Sequence, residues 1–251
     1  MTLEKLSGGN SNEVWRDNDT VIRQCGQWSP FVHQLLQFLT ENGFNASPRF
    51  LETDGVTERL SYIKGQVGHY PLDPSMLSDE IVIEAGKLLR QFHDITQDFI
   101  VPTHAQFMLP NLVSAEDDVI CHNDFAPYNC VFDHGHIIGI IDFDTASPGK
   151  RMWDIAYAVY RFAPLATDQH CLQSGWRIPP DRSNRLRLFC DGYGLIEREQ
   201  LIATVLKRLH ALIDYMVANA SNLEHIPIYQ ADIQYIEDNQ RQFEVALVST
   251  K

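Results

Sequence analysis

The stretch VICHNDFAPYNCVFDHGHIIGIIDFD, residues 119–144, sets three histidines, four aspartates and two asparagines among short apolar runs. Two of those runs, NCVFD and HIIGIIDF, read as extended segments joined by a turn at His134 and Gly135. A hairpin brings its outer ends together. Asn129 at the start of the first strand and Asp142 at the end of the second are therefore expected to converge beside Asp124, which sits in the loop just before. An amide oxygen and a carboxylate are hard ligands of the kind Mg²⁺ takes while it also binds phosphates. A carboxylate not committed to the ion can orient a hydroxyl and accept its proton. Phosphoryl transfer needs that division of labour, because the protein supplies mainly positioning and charge neutralisation.

Working outward, residues 1–64 read as strands with one helix among them. LEKLSGG, NEVWRDN and DTVIRQC are extended candidates divided by Gly, Asn and Asp turns. SPFVHQLLQFLTENG is a helix that Ser29 can cap, with Pro30 in its first turn and Gly43 at its end. Phe31, Leu35, Phe38 and Leu39 give that helix one buried stripe. RFLETDG and TERLSYI then form a hairpin, and KGQVGHYPLDP reads as a linker. Beyond it the character is helical, with an amphipathic helix over 79–95, a helix from WDIAYAVYRF, and long helices near 184–194, 198–219 and 230–247. The expectation is an α+β fold of two lobes: a small β-rich one over 1–64 and a larger helical one over 65–251.

Composition narrows the function. The chain has 251 residues and a net charge of −13. No Lys/Arg cluster is present to grip a nucleic-acid backbone. No apolar run approaches the length of a membrane span. The N-terminus carries acid early and has no apolar core, so no signal peptide is expected. Five cysteines without a CxxC pair suit reduced thiols in a cytoplasmic protein. Residues 1–64 carry a net charge of −2 and the remainder −11. That asymmetry raises the prospect of a cationic acceptor held by carboxylates such as Asp191, Asp214, Glu237 and Asp238.

With HxDxxxxN, IDFD and the following WDIA in register, the chain resembles the aminoglycoside phosphotransferase and choline kinase group, relatives of the protein kinases. The resemblance implies a bilobal protein-kinase-like fold, ATP or GTP as donor, Mg²⁺, and a hydroxyl-bearing small molecule as acceptor. It implies that Asp124 is the catalytic base and that Asn129 and Asp142 hold the metal, with Asp144 beside them. His122 would tie the loop together, and Asp154 would hold it from the next helix. SGGNSNEVW resembles the family's phosphate-covering loop, placing Gly8, Gly9 and Asn10 at the phosphates. RLSYIKG resembles the hinge, where the Ser61 carbonyl and the Ile63 amide would meet the purine edge.

The third strand departs from the family. TVIR offers Arg23 where Lys is usual, and the following helix has His33 and Gln34 but no acid before Glu41. Arg23 can still grip two phosphate oxygens, but it needs another partner. That departure keeps open a catalytically silent, kinase-like nucleotide-binding protein. An iron oxygenase, built on HxD with a distant His170 or His210, is disfavoured by the helical character after the motif. The acceptor would be bound by residues 65–251, and the breaker-rich segment FAPLATDQHCLQSGWRIPPDRSN, containing Trp176, is a candidate loop for it.

Overall fold

A computed structural model of the chain describes residues 3–6, 13–109 and 117–248. It opens with a five-stranded antiparallel sheet in the order β1-β2-β3-β5-β4. The strands are β1 (Glu4–Lys5), β2 (Trp15–Asp17), β3 (Thr20–Gln24), β4 (Phe50–Thr53) and β5 (Thr57–Ser61). Asn18, at φ 55°, makes the turn between β2 and β3. Asp54 caps the next turn by accepting the Val56 and Thr57 amides at 2.9 and 2.6 Å.

Helix α1 (Ser29–Glu41) lies between β3 and β4 in the chain. Ser29 is its first residue rather than its cap: the cap position is Trp28, and the Ser29 hydroxyl accepts the Gly26 amide at 2.9 Å. The buried face carries Phe31, Leu35 and Leu39, and is broadened by Val32, His33 and Leu36. Phe38 stands at its margin, edge-on to Phe99.

The expected linker contains a short strand, β6 (Gln66–Val67), which pairs antiparallel with the motif hairpin. That hairpin is β8 (Cys130–Asp133) and β9 (His136–Ile140). Its turn residues His134 and Gly135 are both left-handed, at φ 48° and 80°, the geometry that suits the twist of paired strands. Strands β7 (Val119–Cys121) and β10 (Ser147–Gly149) form a separate antiparallel pair that brackets the motif.

The helical portion comprises α2 (Asp79–Thr96), α3 (Arg151–Phe162), α4 (Asp168–Gln173), α5 (Arg182–Tyr193), α6 (Leu201–Asn219), α7 (Ile226–Asp238) and α8 (Gln240–Val248). Ser78 caps α2 through the Ile81 amide. The single helix expected near 230–247 is two, broken at Asn239. Helices α2 and α5 pack closely because each presents a glycine. A Cβ on Gly86 would stand 2.4 Å from the Phe189 carbonyl oxygen, and one on Gly192 would stand 2.5 Å from that of Ile83. One apolar core, including Leu35, Phe92, Phe125, Phe143, Tyr160 and Phe189, runs beneath both parts. A β-sheet lobe followed by a helical portion is the kinase-like arrangement. Among the described residues, no helix is long and apolar enough to cross a membrane.

Candidate active site

The loop from His122 to Asn129 is held from below by Asp154, in the first turn of α3. Its two oxygens accept the backbone amides of His122 at 2.7 Å and Asn123 at 2.8 Å. The His93 ring of α2 donates to it at 3.0 Å and accepts the Tyr193 hydroxyl at 2.8 Å. His93 is thus a satisfied core histidine. Burial works against the Asp154 charge, but the His93 hydrogen bond and the two amides outweigh it and keep its pKa below the usual carboxylate value. His122 donates Nε2 to the Ile141 carbonyl at 3.1 Å and receives the Asp124 amide on Nδ1 at 3.3 Å. Both its nitrogens are engaged inside the loop, and burial lowers its pKa, so the ring is neutral. A His122 so placed, an exposed His210 and a His170 that is paired with Asp232 do not make the metal triad of an oxygenase.

Above this floor stands Asp124. Its Oδ1 accepts the Tyr128 hydroxyl at 2.5 Å, and Tyr128 in turn meets the Tyr157 hydroxyl at 2.8 Å. The Asn129 amide nitrogen donates to both the Asp124 carbonyl and Oδ2, each at 2.9 Å. Burial raises the Asp124 pKa, and the Tyr128 hydrogen bond offsets part of the rise. The Ile141 amide donates to the Asn129 carbonyl at 2.9 Å, so the hairpin's outer ends do meet and deliver Asp142 beside Asn129. Asp142 is left-handed, at φ 62°, and its side chain is 49% exposed. A non-glycine residue held there is a strained position of the kind found at functional sites. The Asn129 amide oxygen and the Asp142 carboxylate are oxygen donors of the type Mg²⁺ takes, so the residues fit such an ion.

Arg23 reaches this cluster from the third strand. Its guanidinium donates to Asp144 at 2.6 Å, lies 3.5 Å from Asp142, and pairs with Glu58. Glu58 faces Arg23 directly across the β3–β5 ladder, and its other oxygen is bonded to His33 of α1. The acid that α1 lacks is therefore supplied by β5, and α1 contributes the histidine that holds it. Burial opposes the Arg23 charge, but Asp144, Glu58 and Asp142 outweigh it and hold the pKa above the usual value. Burial also raises the Asp144 pKa, with Arg23 pulling it down and Asp142 pushing it up.

Ser61 ends β5, receiving the Arg49 amide on its hydroxyl at 2.8 Å, and the Tyr62 amide donates to the Asp19 carbonyl. Ile63 follows, packed so closely on β9 that a Cβ at Gly139 would stand 2.8 Å from its Cδ1. Gly8, Gly9 and Asn10 lie outside the described residues.

Next to Pro127 the surface is indented by a narrow cleft. Tyr70, Tyr160, Arg161, His170, Trp176 and Arg185 contribute to its lining. The segment around Trp176 thus does border a cavity, partly through α4. The four acids singled out from charge balance do not line it. Asp191 is paired with Arg187 and Arg198, and Asp214, Glu237 and Asp238 face solvent.

Sequence reasoning missed Glu58, Tyr128 and Arg161. Glu58 alternates with Leu60 in TERLS, so a charge on the inward face of a strand was the available signal. Arg161 lies one helical turn beyond Tyr157 and two beyond Asp154, on the same face of α3.

A carboxylate, an amide and a second carboxylate thus lie close together where the loop of residues 122–129 meets the end of β9. Residues 101–185 match the phosphotransferase enzyme family. The trifolitoxin immunity protein of Rhizobium leguminosarum bv. trifolii is 32% identical over 201 residues, which cover 78% of this chain and 75% of that protein. The chain belongs to the phosphotransferase enzyme family. Solved structures share its fold at low identity. The amicoumacin kinase hAmiN, in complex with AMP-PNP, Ca²⁺ and Ami, aligns with a TM-score of 0.69 at 12% identity, covering 94% of this chain and 88% of that one. A choline/ethanolamine kinase family protein from Mesorhizobium loti aligns at 0.60 and 16%, covering 99% and 93%. The GDP complex of wild-type aminoglycoside 2'-phosphotransferase-IIIa aligns at 0.62 and 14%, covering 97% and 94%.

Proposed function

We propose that the chain is a cytoplasmic small-molecule kinase that transfers the γ-phosphoryl group of ATP or GTP to a hydroxyl of its acceptor. The observation that carries this reading is the convergence of Asp124, Asn129 and Asp142 on one loop, with Arg23 directed at the same place. Asp124, its carboxylate oriented by Tyr128 and Asn129, holds the acceptor hydroxyl and takes its proton as the oxygen bonds to phosphorus and the bond to the nucleoside diphosphate breaks. Asn129 and Asp142, with Asp144 beside them, would hold Mg²⁺, which when bound neutralises phosphate charge. Arg23, aimed by Glu58, binds phosphate oxygens, and Gly8, Gly9 and Asn10 cover them. Ser61 and Ile63 meet the purine edge. Residues 1–64 then serve the nucleotide and residues 65–251 the acceptor.

The test is a turnover assay with ATP and with GTP. The acceptor panel runs from amino sugars and amino alcohols, through neutral hydroxyl compounds, to acidic ones. Asp124→Asn should lose roughly 10²-fold or more in kcat while Mg–nucleotide binding is retained. Near-normal turnover in that variant would remove Asp124 from its role. Nucleotide binding with no turnover on any acceptor would favour the catalytically silent alternative.

A second reading concerns purpose rather than chemistry. The 32% identity to a trifolitoxin immunity protein favours a role in immunity to a toxin, with phosphorylation of a toxin hydroxyl as the means. Expression in a toxin-sensitive host, with Asp124→Asn as control, separates immunity by transfer from immunity by binding alone.

A further inference from the structure

We infer that the acceptor carries an anionic group, a carboxylate on an apolar body, and that Arg161 is the residue that recognises it. The inference rests on the phosphotransferase reading above and specifies the acceptor for it. Arg161 lies in the last turn of α3, inside a box of tyrosines. Its guanidinium carbon stands 5.0 Å from the ring centroid of Tyr70, 5.2 Å from Tyr128 and 5.4 Å from Tyr160. Aromatic faces favour a cation, but they carry no counter-charge; the Tyr70 hydroxyl is the one ring substituent that accepts from Arg161, and Asp124 acts on it only through its field. Among the described residues, Arg161 has no carboxylate partner, and its Nε is buried without a hydrogen bond. Arg161 is half-buried; an Nε–H buried without an acceptor is costly, and an arriving oxyanion would meet its donors two at a time.

The rest of the cavity agrees in sign. Its lining holds Arg161, Arg185 and His170 and not one aspartate or glutamate. The other two are already held: Arg185 donates to the Phe162, Leu77 and Ser78 carbonyls and to Asp79, and His170 is bonded to Asp232 at 2.6 Å. Of the three, Arg161 keeps the most donors for a ligand, since His170 has only its second ring nitrogen left. Leu72, Met76 and Trp176 give the lining an apolar part beside Ser174 and the tyrosines, which suits a hydrophobic body behind the charge. Tyr128 joins the two halves, since its ring lies against Arg161 and its hydroxyl bonds Asp124. An acceptor anchored at Arg161 can thus extend past Tyr128 and present its hydroxyl to Asp124. The acidic residues of the C-terminal helices lie outside this chamber and set only the long-range field.

The experiment compares three probes that share a phenyl ring and a hydroxyl and differ in charge: mandelate, 1-phenylethane-1,2-diol and 2-phenylglycinol. Dissociation constants are measured by ligand-observed NMR on the full chain with AMP-PNP present, so that anion binding at the nucleotide side is blocked. Wild type should bind mandelate about tenfold more tightly than 2-phenylglycinol. Arg161→Gln should abolish that preference, and Arg161→Lys should keep part of it. A purely structural role for Arg161 would weaken all three probes together. Equal affinities in wild type, a preference for 2-phenylglycinol, no binding of mandelate, or a mandelate preference that survives Arg161→Gln would each overturn the inference. Stabilisation by Mg–AMP-PNP is recorded in the same samples, and its absence would count against the phosphotransferase reading instead.

Discussion

Asp154→Ala tests whether one buried carboxylate holds the loop of residues 122–129 in place. The side chain is fully buried and serves three donors: the His122 amide, the Asn123 amide and the His93 ring. Truncation orphans two backbone N–H groups and leaves a histidine facing a void. Breaking one side of a buried charged network costs about 3–5 kcal/mol, which for a chain of this size lowers Tm by on the order of 10 °C. Asp154→Asn should cost less, because one amide oxygen can still receive one N–H while its NH₂ opposes the other. The pH dependence has a definite sign. The folded pKa of Asp154 lies below its unfolded value, so the unfolded chain binds more protons near and below that value. Its stabilisation is therefore complete above an unfolded pKa of about 3.9 and is lost as pH falls through the lower folded value. The gap in stability between wild type and Asp154→Asn should narrow in acid. Thermal unfolding followed by circular dichroism across pH 3–7 would show it. A Tm within about 2 °C of wild type for Asp154→Ala, or a gap that widens in acid, would refute the reasoning.

Three further outcomes follow from the same geometry. Asp142→Ala should remove the extra thermal stabilisation that Mg²⁺ adds to nucleotide, and Asn129→Ala should reduce it less; full retention in Asp142→Ala would place the metal elsewhere. Arg23→Ala should raise the nucleotide KM substantially, Arg23→Lys should recover only part, and Glu58→Gln should shift KM the same way because it frees Arg23 from its cross-strand partner. An unchanged KM in Arg23→Ala would remove that residue from the nucleotide site. Gly68→Ala sets a Cβ 2.3 Å from the Pro127 carbonyl oxygen, a backbone clash costing about 1–3 kcal/mol; it should lower Tm and cut turnover more than its distance from Asp124 suggests, because the turn of Pro127 also carries Asn129. Wild-type activity in Gly68→Ala would show that this turn tolerates displacement.

The parts legible in the sequence were those fixed by local chemistry. Turn residues between two short apolar runs marked the motif hairpin, and a strongly periodic run marked α2. The short strand β6 was not legible, because two residues of KGQVGHYPLDP carry no periodicity; only the partner strand β8 makes them extended. The break at Asn239 was masked by apolar residues that continue in helical register on both sides. Arg23's partner was sought on α1, where the family places an acid, whereas Glu58 was visible only as a charge on the inward face of β5. The charge asymmetry could not locate an acceptor site for a related reason. Net charge counts every acid alike, but Asp191 is neutralised by two arginines and Asp232 is buried against Tyr160 and His170.

Helix α3 gives these observations a common mechanical origin. Asp154, Tyr157 and Arg161 stand at i, i+3 and i+7, so they share one face, and Arg161 lies about 10 Å beyond Asp154 along the axis. The first holds the backbone of the catalytic loop. The second meets the Tyr128 hydroxyl that orients Asp124. The third reaches the cavity, with no ion-pair partner among the described residues. On the proposed reading, base and acceptor anchor are therefore positioned by one element, buried along most of its length, rather than by two parts that must be brought into register. A loop-borne anchor would let the acceptor hydroxyl wander relative to Asp124, and displacements near 1 Å are enough to erode transfer. Side chains on one helix face cannot drift apart in that way, so acceptor variety in such a scaffold is more readily reached by changing residues like Arg161 than by moving the loop that carries Asp124.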